Sequence, residues 1–266
     1  MMHCFTYHEG GSSLLITIPH DGRLLPADIE GRMSVAGRAL PDTDWHVTRL
    51  YAFAETLGAS LIIANYSRYV VDLNRPADDA ALYEGQLETG LCPLRTFAGE
   101  AIYDGEITID IDDRVARYWR PYHDKIAATL AAIRDAHGYA LLWDAHSILS
   151  RVPSLFDGEL PVLNFGTWEG RSCRADLAQA VLSVADASIY DVAFNGRFKG
   201  GHTTRHYGQP AANVHAIQLE LSQRAYMDEA TGHFDESSAS QLSDSIAKML
   251  CALTDTAGEN SAILPR

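Results

Sequence analysis

Two histidines in this sequence directly follow stretches that have the pattern of buried strands. His20 ends the stretch LLITIPH, and His146 ends the stretch LLWDAH. Imidazoles held on strand ends are suited to a divalent metal ion, and a catalytic zinc site needs three protein ligands and an open position. Each histidine alone could equally be a hydrogen-bonded structural residue. The pair, in this context, predicts a metal site.

The third metal ligand is expected to be a carboxylate. The sequence contains no HxxH or HExxH motif, which argues against a helix-borne zinc site of that kind. The stretch PDTDWH predicts a helix start with Asp42 as the N-cap and Asp44 in the first turn. We therefore expect Asp44 to be the ligand, with Asp42, His46 and Asp21 as alternatives. Zinc is the expected metal, although iron, cobalt or manganese also suit such ligands.

Two further carboxylates lie in apolar strand patterns, where an unpaired charge is costly. Asp144 precedes His146 by two residues and shares its strand face. It could orient that imidazole or form a salt bridge. Glu220, in HAIQLELS, could take a proton from water and return it to a leaving amine. The alternative is an edge strand on which Gln218 and Glu220 both face solvent.

Clustered cations are informative because the chain has a net charge of −14. Arg68 and Arg75 lie in SRYVVDLNRP, and a glycine-rich loop carries Arg197, Lys199 and Arg205. Arginine suits bidentate carboxylate binding, so these clusters predict an anionic substrate. For the loop, a solvated flexible segment is the alternative. The acidic charge argues against nucleic acid and anionic membrane as partners.

Other chemistries lack their motifs in this chain. Neither a GxGxxG nor a GxxxxGK[ST] motif follows a strand, and no GxSxG serine elbow occurs. The four cysteines form no CxxC pair, which is typical of reduced thiols in a cytoplasmic protein. No signal-peptide pattern and no apolar run near the roughly 18 residues of a membrane helix is present. We expect a cytoplasmic protein, and the sequence leaves its oligomeric state open.

An α/β fold is expected to position these residues. Strand-like apolar stretches lie at 14–18, 60–64, 69–73, 139–143, 161–165 and 215–221. Helical patterns lie between them, at 42–57, 111–137, 174–187 and 237–250. This alternation predicts a mixed, largely parallel sheet sandwiched by helices, in one domain over residues 1–266. The segment 76–108 has little periodicity and is expected to be an insertion or loop near the site.

Together these stretches resemble the N-formylglutamate amidohydrolase family. The matching stretches span residues 14 to about 229 and are IPHDGRLLP, LPDTDWHVTRLY, SRYVVDLNRP, WDAHS, NGRFKGGHTTRHYGQP and IQLELSQRAYMDE. The resemblance implies a metal-dependent hydrolysis of N-formyl-L-glutamate to formate and L-glutamate, the last step of one route of histidine degradation. It implies the phosphorylase/hydrolase-like fold of the zinc carboxypeptidases and aspartoacylase-like deacylases.

The resemblance also implies roles for single residues. Asn74 and Arg75 match an element that binds a substrate carboxylate, Arg68 matches an arginine that polarises the scissile carbonyl, and Glu220 matches the general base. The wider group usually has a glutamate three residues after the first histidine. This chain has Arg23 there, so Asp44 is our substitute.

A substrate with two carboxylates accounts for two separate cationic elements. We expect the loop 197–206 to hold the second carboxylate, through Arg205 with His202 and Thr203. Two other functions fit the same residues. One is a deacylase of another N-acyl amino acid, similar to aspartoacylase or a carboxypeptidase. The other is a protein that binds an acidic metabolite without turnover.

Overall fold

A seven-stranded mixed sheet forms the centre of the computed structural model, which describes residues 3–82 and 89–261. The central strands β3, β2, β4 and β7 are parallel, whereas β1 is antiparallel to β3, and β5 to β7. The spatial order is β1-β3-β2-β4-β7-β5-β6. The strands are β1 (Phe5–His8), β2 (Leu14–Ile18), β3 (Ser60–Ala64), β4 (Ala140–Ile148), β5 (Leu163–Gly166), β6 (Val192–Phe194) and β7 (Val214–Ser222), followed by a small pair, β8 (Met227–Asp228) and β9 (His233–Phe234).

Helices and helical turns connect the strands. The helices are α1 (Ala27–Glu30), α2 (Val35–Ala39), α3 (Val47–Leu50), α4 (Ile111–Arg114), α5 (Arg120–His137), α6 (Ala175–Asp186), α7 (His202–Tyr207) and α8 (Glu236–Ser261). A π-helical turn, Val115–Trp119, joins α4 to α5, and Ala52–Leu57 forms a 3₁₀ turn. Among the described helices, none has the length and apolar character needed to cross a membrane.

Both faces of the sheet are covered. Leu14 and Ile16 of β2 pack in one apolar cluster with residues of α6 and α8, whereas Leu15 packs in a second cluster with residues of α5. Strands covered on both faces have continuous apolar sequences, as these strands do. The predicted mixed, largely parallel sheet sandwiched by helices is therefore confirmed.

The strand predicted at 69–73 is wrong. These residues turn instead of pairing with a strand, although their apolar side chains are buried. The carbonyl oxygens of Tyr69 and Val70 accept hydrogen bonds from the buried guanidinium of Arg114, at 3.3 and 2.8 Å. Arg114 thus supplies bonds that a neighbouring strand would otherwise provide. Asn74 consequently lies on a buried loop and not at a strand end.

The helix predicted from residue 42 begins later, at α3, and Asp42 is not its N-cap. The carboxylate of Asp42 instead accepts hydrogen bonds from the Tyr69 hydroxyl and the Phe97 backbone N–H. Asp21 accepts a hydrogen bond from the backbone N–H of Thr48, in the first turn of α3. The carboxylate that accepts a hydrogen bond from the first turn of α3 therefore belongs to Asp21, which lies 27 residues before Thr48 in the sequence.

Candidate active site

Three predicted site residues converge at the carboxyl ends of neighbouring parallel strands. His20 lies just beyond β2, His146 near the end of β4, and Glu220 near the end of β7. The β4–β7 register places His146 directly opposite Glu220. The side chains of such a cross-strand pair lie side by side on one face of the sheet.

His20, Asp44 and His146 form a compact buried group. One ligand atom from each residue lies within 4.8 Å of the others, and the two imidazole centroids are 4.9 Å apart. Asp44 Oδ2 lies 3.7 Å from His20 Nδ1 and 3.2 Å from His146 Nδ1. Of the expected carboxylate ligands, Asp44 is thus the one that meets both histidines. We refer to these three residues as the triad.

The second nitrogen of each triad imidazole faces another buried carboxylate. His20 Nε2 lies 2.7 Å from Asp72 Oδ1, and His146 Nε2 lies 3.1 Å from Asp144 Oδ2. Metal-binding histidines characteristically contact a carboxylate in this way, which fixes the ring and its tautomer. The two Nδ1 atoms and the Asp44 oxygen therefore fit the ligand set of a divalent metal ion.

Buried negative charge is concentrated around the triad. Burial opposes ionisation of Asp44, but His20 and His146 outweigh it and hold the pKa of that carboxyl well below its ordinary value. Burial raises the pKa of Glu220 to about 8. Burial lowers the pKa of His146, but Asp144 outweighs this effect and the net pKa is raised. A divalent cation would offset this excess of buried carboxylate charge.

Arg68 lies beside the triad as an oriented positive charge. Its guanidinium is 2.7 Å from Asp72 Oδ2 and 3.7 Å from Asp44 Oδ1. Burial lowers the pKa of Arg68, but these carboxylates outweigh burial and raise it, so the group stays charged. A fixed charge of this kind can stabilise an anion that develops during a reaction.

Asp72 is the site residue that the sequence reasoning missed. Its carboxylate contacts His20 and Arg68, and it accepts a hydrogen bond from the backbone N–H of Asn74 at 2.9 Å. The signal was present in the sequence, since Asp72 is an isolated carboxylate in an apolar stretch, as Glu220 is. Asp72 links a triad histidine, the nearby arginine and the loop that carries Asn74.

A cavity of about 90 Å³ opens beside the triad. It is large enough for a small metabolite or several waters. The lining includes three residues of the segment 76–108, namely Leu82, Thr89 and Phe97, and the described part of that segment has no helix or strand. The predicted site residues in the lining are His20, Arg68, Asn74, Arg75, His146 and Glu220.

The structure places Arg205, His202 and Thr203 outside this lining. Arg205 donates hydrogen bonds to the carbonyl oxygens of Gly200, at 2.8 Å, and of Leu82. Arg197, from the same glycine-rich loop, is the arginine that lines the cavity.

His202 and Thr203 instead contact the loop that carries Asn74. The His202 ring packs against His206 and Trp119, with ring centroids 5.0 and 5.7 Å away. The backbone N–H of Thr203 donates to Asn74 Oδ1 at 2.9 Å. Neither residue lines the cavity, although the adjacent Gly201 does.

Two amides hold the polar side of the site in place. Asn74 Nδ2 lies 2.9 Å from His146 Nε2. Gln218 accepts a hydrogen bond from the Gly201 backbone N–H at 2.7 Å and donates one to Glu220 Oε2 at 3.2 Å. Gln218 therefore faces the site, which excludes the alternative of a solvent-exposed edge strand for Gln218 and Glu220.

Fold and site together define an α/β protein with acid–base groups and arginines around a small cavity, beside three residues that could hold a metal ion. The chain belongs to the N-formylglutamate amidohydrolase family, whose model matches residues 12–227. The resemblance found in the sequence is confirmed.

Similar proteins cover most of the chain. An N-formylglutamate deformylase of Pseudomonas putida is 49% identical over 228 residues, which are 84% of this chain and 85% of the relative. A protein of the same name from Pseudomonas aeruginosa is 51% identical over 233 residues, or 86% and 87% of the two chains. The solved structure of N-formylglutamate amidohydrolase from Ralstonia eutropha JMP134 has a TM-score of 0.81 at 25% identity, covering 94% of this chain and 98% of that one.

Proposed function

We propose that this protein hydrolyses N-formyl-L-glutamate to formate and L-glutamate, with one divalent metal ion, zinc, in the triad. The observation that carries the proposal is the convergence of Glu220, Arg68 and Arg75 on one small cavity beside the triad. Family membership and the names of the relatives support the substrate. The reaction would be the last step of a histidine degradation route, and the four free cysteines support a reducing, cytoplasmic setting.

His20, Asp44 and His146 would hold the metal ion. A divalent metal ion bound there supplies Lewis-acid activation of water and of the scissile carbonyl. Asp72 holds the His20 imidazole from behind through a hydrogen bond, and Asp144 Oδ2 lies 3.1 Å from His146 Nε2, so that both rings keep their Nδ1 atoms toward the shared centre.

Glu220 would move the proton. A cation held by the triad would favour the ionised form of this carboxyl, whose pKa burial raises to about 8. In that form Glu220 accepts a proton from the water that attacks the formyl carbon, and it returns that proton to the glutamate nitrogen as the C–N bond breaks. Gln218 orients one of its carboxylate oxygens, and His146 lies opposite it in register. Arg68 balances the negative charge that develops on the formyl oxygen.

Two arginines of the cavity would bind the two substrate carboxylates. Arg75, beside Asn74, binds one of them, as the family resemblance implies. For the other we propose Arg197 instead of Arg205, because Arg197 lines the cavity and Arg205 lies outside its lining. The substrate class is accordingly a small dicarboxylate N-acyl amino acid.

Formate release from N-formyl-L-glutamate tests the proposal. N-acetyl-L-glutamate and N-formyl-L-aspartate are assayed in parallel, before and after metal chelation and restoration. Metal-dependent release from N-formyl-L-glutamate supports the assignment. Turnover of the acetyl compound alone would shift the function to another deacylase, and binding without any turnover would favour a metabolite-binding protein.

Two matched arginine variants test the carboxylate assignment. We expect Arg197→Gln to raise KM by at least tenfold, because it removes a charge-assisted contact worth about 1.5–3 kcal/mol. Arg205→Gln, from the same loop, should change KM much less. The reverse order would return the role to Arg205.

A further inference from the structure

The loop that carries Asn74 and Arg75 is held from behind by two aromatic side chains. His123 Nε2 lies 2.9 Å from the carbonyl oxygen of Leu73. Trp119 Nε1 donates to the carbonyl oxygen of Arg75 at 2.8 Å. These two carbonyls flank Asn74, so its backbone is fixed on both sides. Neither aromatic side chain is part of the cavity lining.

Asn74 is also held by α7. Its carbonyl oxygen accepts a hydrogen bond from the backbone N–H of His202 at 3.2 Å, and its Oδ1 accepts one from the backbone N–H of Thr203 at 2.9 Å. Because Oδ1 is occupied, the amide nitrogen points toward His146. The orientation of Asn74 thus depends on every element that holds this loop.

The chemistry of His123 fits a hydrogen-bond donor. A carbonyl oxygen can only accept, so His123 Nε2 carries the proton, while Nδ1 lies 3.0 Å from the hydroxyl oxygen of Tyr207. Burial, with His202 nearby, lowers the pKa of His123 to about 3, which keeps the imidazole neutral. The neutral ring retains the single donor that the carbonyl requires.

Helix geometry places the Trp119 and His123 side chains in contact with each other. They are four residues apart, so they lie on the same helix face, and their rings stack with centroids 3.8 Å apart. Trp119 ends the π-helical turn Val115–Trp119, and such turns are frequent at functional sites. The irregular turn, which the sequence did not predict, sets the position from which Trp119 reaches the loop.

We propose that Trp119 and His123 are positioning residues for substrate binding, which fix the backbone on both sides of Asn74 so that Arg75 meets a substrate carboxylate in one geometry. The inference rests on the proposed function, whose substrate carries that carboxylate. Without the two hydrogen bonds, the loop would have to be ordered when the substrate binds. The free energy needed to order the loop therefore weakens substrate binding, and the rate of the bond-breaking step stays nearly unchanged.

Steady-state kinetics with N-formyl-L-glutamate test this inference. We expect Trp119→Phe and His123→Leu each to raise KM about five- to tenfold, as the loss of one hydrogen bond implies, with kcat within twofold of the native value. His123→Gln retains an N–H donor and should restore KM to within twofold. Trp168→Phe removes an indole N–H outside this loop and is the matched control.

Amide hydrogen exchange in residues 201–206 provides a second readout that needs no substrate. We expect exchange at Thr203 to be at least tenfold faster in Trp119→Phe and His123→Leu than in the native protein. If the native protein releases no formate, the proposed function fails, and exchange alone decides the inference. Unchanged exchange in both variants, or a lower melting temperature with KM unchanged, would overturn it.

Discussion

Replacing Gly201 by alanine should damage the site through one defined collision. A Cβ atom at this position would lie 2.3 Å from Asn74 Nδ2 and 2.6 Å from Asn74 Cγ and Oδ1. Gly201 has φ −84°, which any residue can adopt, so the alanine introduces no backbone strain. The perturbation is therefore steric and is directed at a single amide.

The size of the effect follows from the geometry. Ordinary contacts of a Cβ begin near 3.4 Å, so the Asn74 amide would have to move by about 1 Å. That movement breaks its contacts with His146 and Thr203, at a cost of about 1–2 kcal/mol in the free energy of unfolding. A misplacement of about 1 Å can reduce a rate about 100-fold. We expect kcat/KM for N-formyl-L-glutamate to fall by about that factor.

A double-mutant cycle isolates the collision. Asn74→Ala removes the amide that the new methyl group would meet, so Gly201→Ala should lower kcat/KM less than twofold in that background. Gly11→Ala is the control, because a Cβ there has no neighbour within 4 Å. Its kcat/KM should equal that of the native protein.

Either of two results would refute this reasoning. If Gly201→Ala retains native kcat/KM and stability, then the Asn74 amide is not packed against α7 in solution. If Gly201→Ala lowers kcat/KM by the same factor in the Asn74→Ala background as in the native protein, then the loss of activity does not arise from the collision with the Asn74 amide.

Three further predictions concern charge and ligation. Zinc at about 100 times its Kd should raise the free energy of unfolding by about 2.7 kcal/mol, and calorimetry should find this gain absent in Asp44→Asn. Asp72→Asn should lower kcat about 10–100-fold, since it weakens the hold on His20; a kcat within twofold in the formate assay would contradict that role. The pKa of His123 is lowered from 6.5 to about 3, so the unfolded chain takes up the proton first as the pH falls below 6.5. Relative to His123→Gln, the native protein should lose about 2 kcal/mol of stability between pH 7.5 and pH 5 in urea titrations.

The strands that carry the site could be predicted because the residues of each strand show its burial in their own sequence. β2, β3, β4 and β7 are apolar on both faces, so each appears in the sequence as a continuous run. The polar residues that interrupt or follow these runs, His20, His146 and Glu220, then identify the site. The two histidines of the triad and Glu220 could be proposed from this pattern alone, whereas Asp44 is one of four candidates for the third ligand.

The remaining features depend on contacts between residues that are remote in the chain. The stretch 69–73 is as apolar as a strand, but Arg114, 44 residues beyond Val70, bonds its carbonyls and allows a buried turn. Arg197 and Arg205 lie in the same glycine-rich loop, and the sequence gives no reason to prefer either as a ligand of the substrate. Only the tertiary structure shows that Arg197 lines the cavity and that Arg205 does not. Local pattern carries no information on either point.

The parallel order of the central strands has a consequence for folding kinetics. The hydroxyl of Thr17 in β2 donates a hydrogen bond to the carboxylate of Asp144 in β4, and these residues are 127 positions apart in the sequence. The hydrogen bond between Asn74 and Thr203 spans 129 positions. Closing such long loops costs entropy before any contact is formed, so pairing of these strands is intrinsically slow. A ligand that needs both His20 and His146 can bind only after this step. Such a ligand should therefore slow unfolding and leave the folding rate almost unchanged.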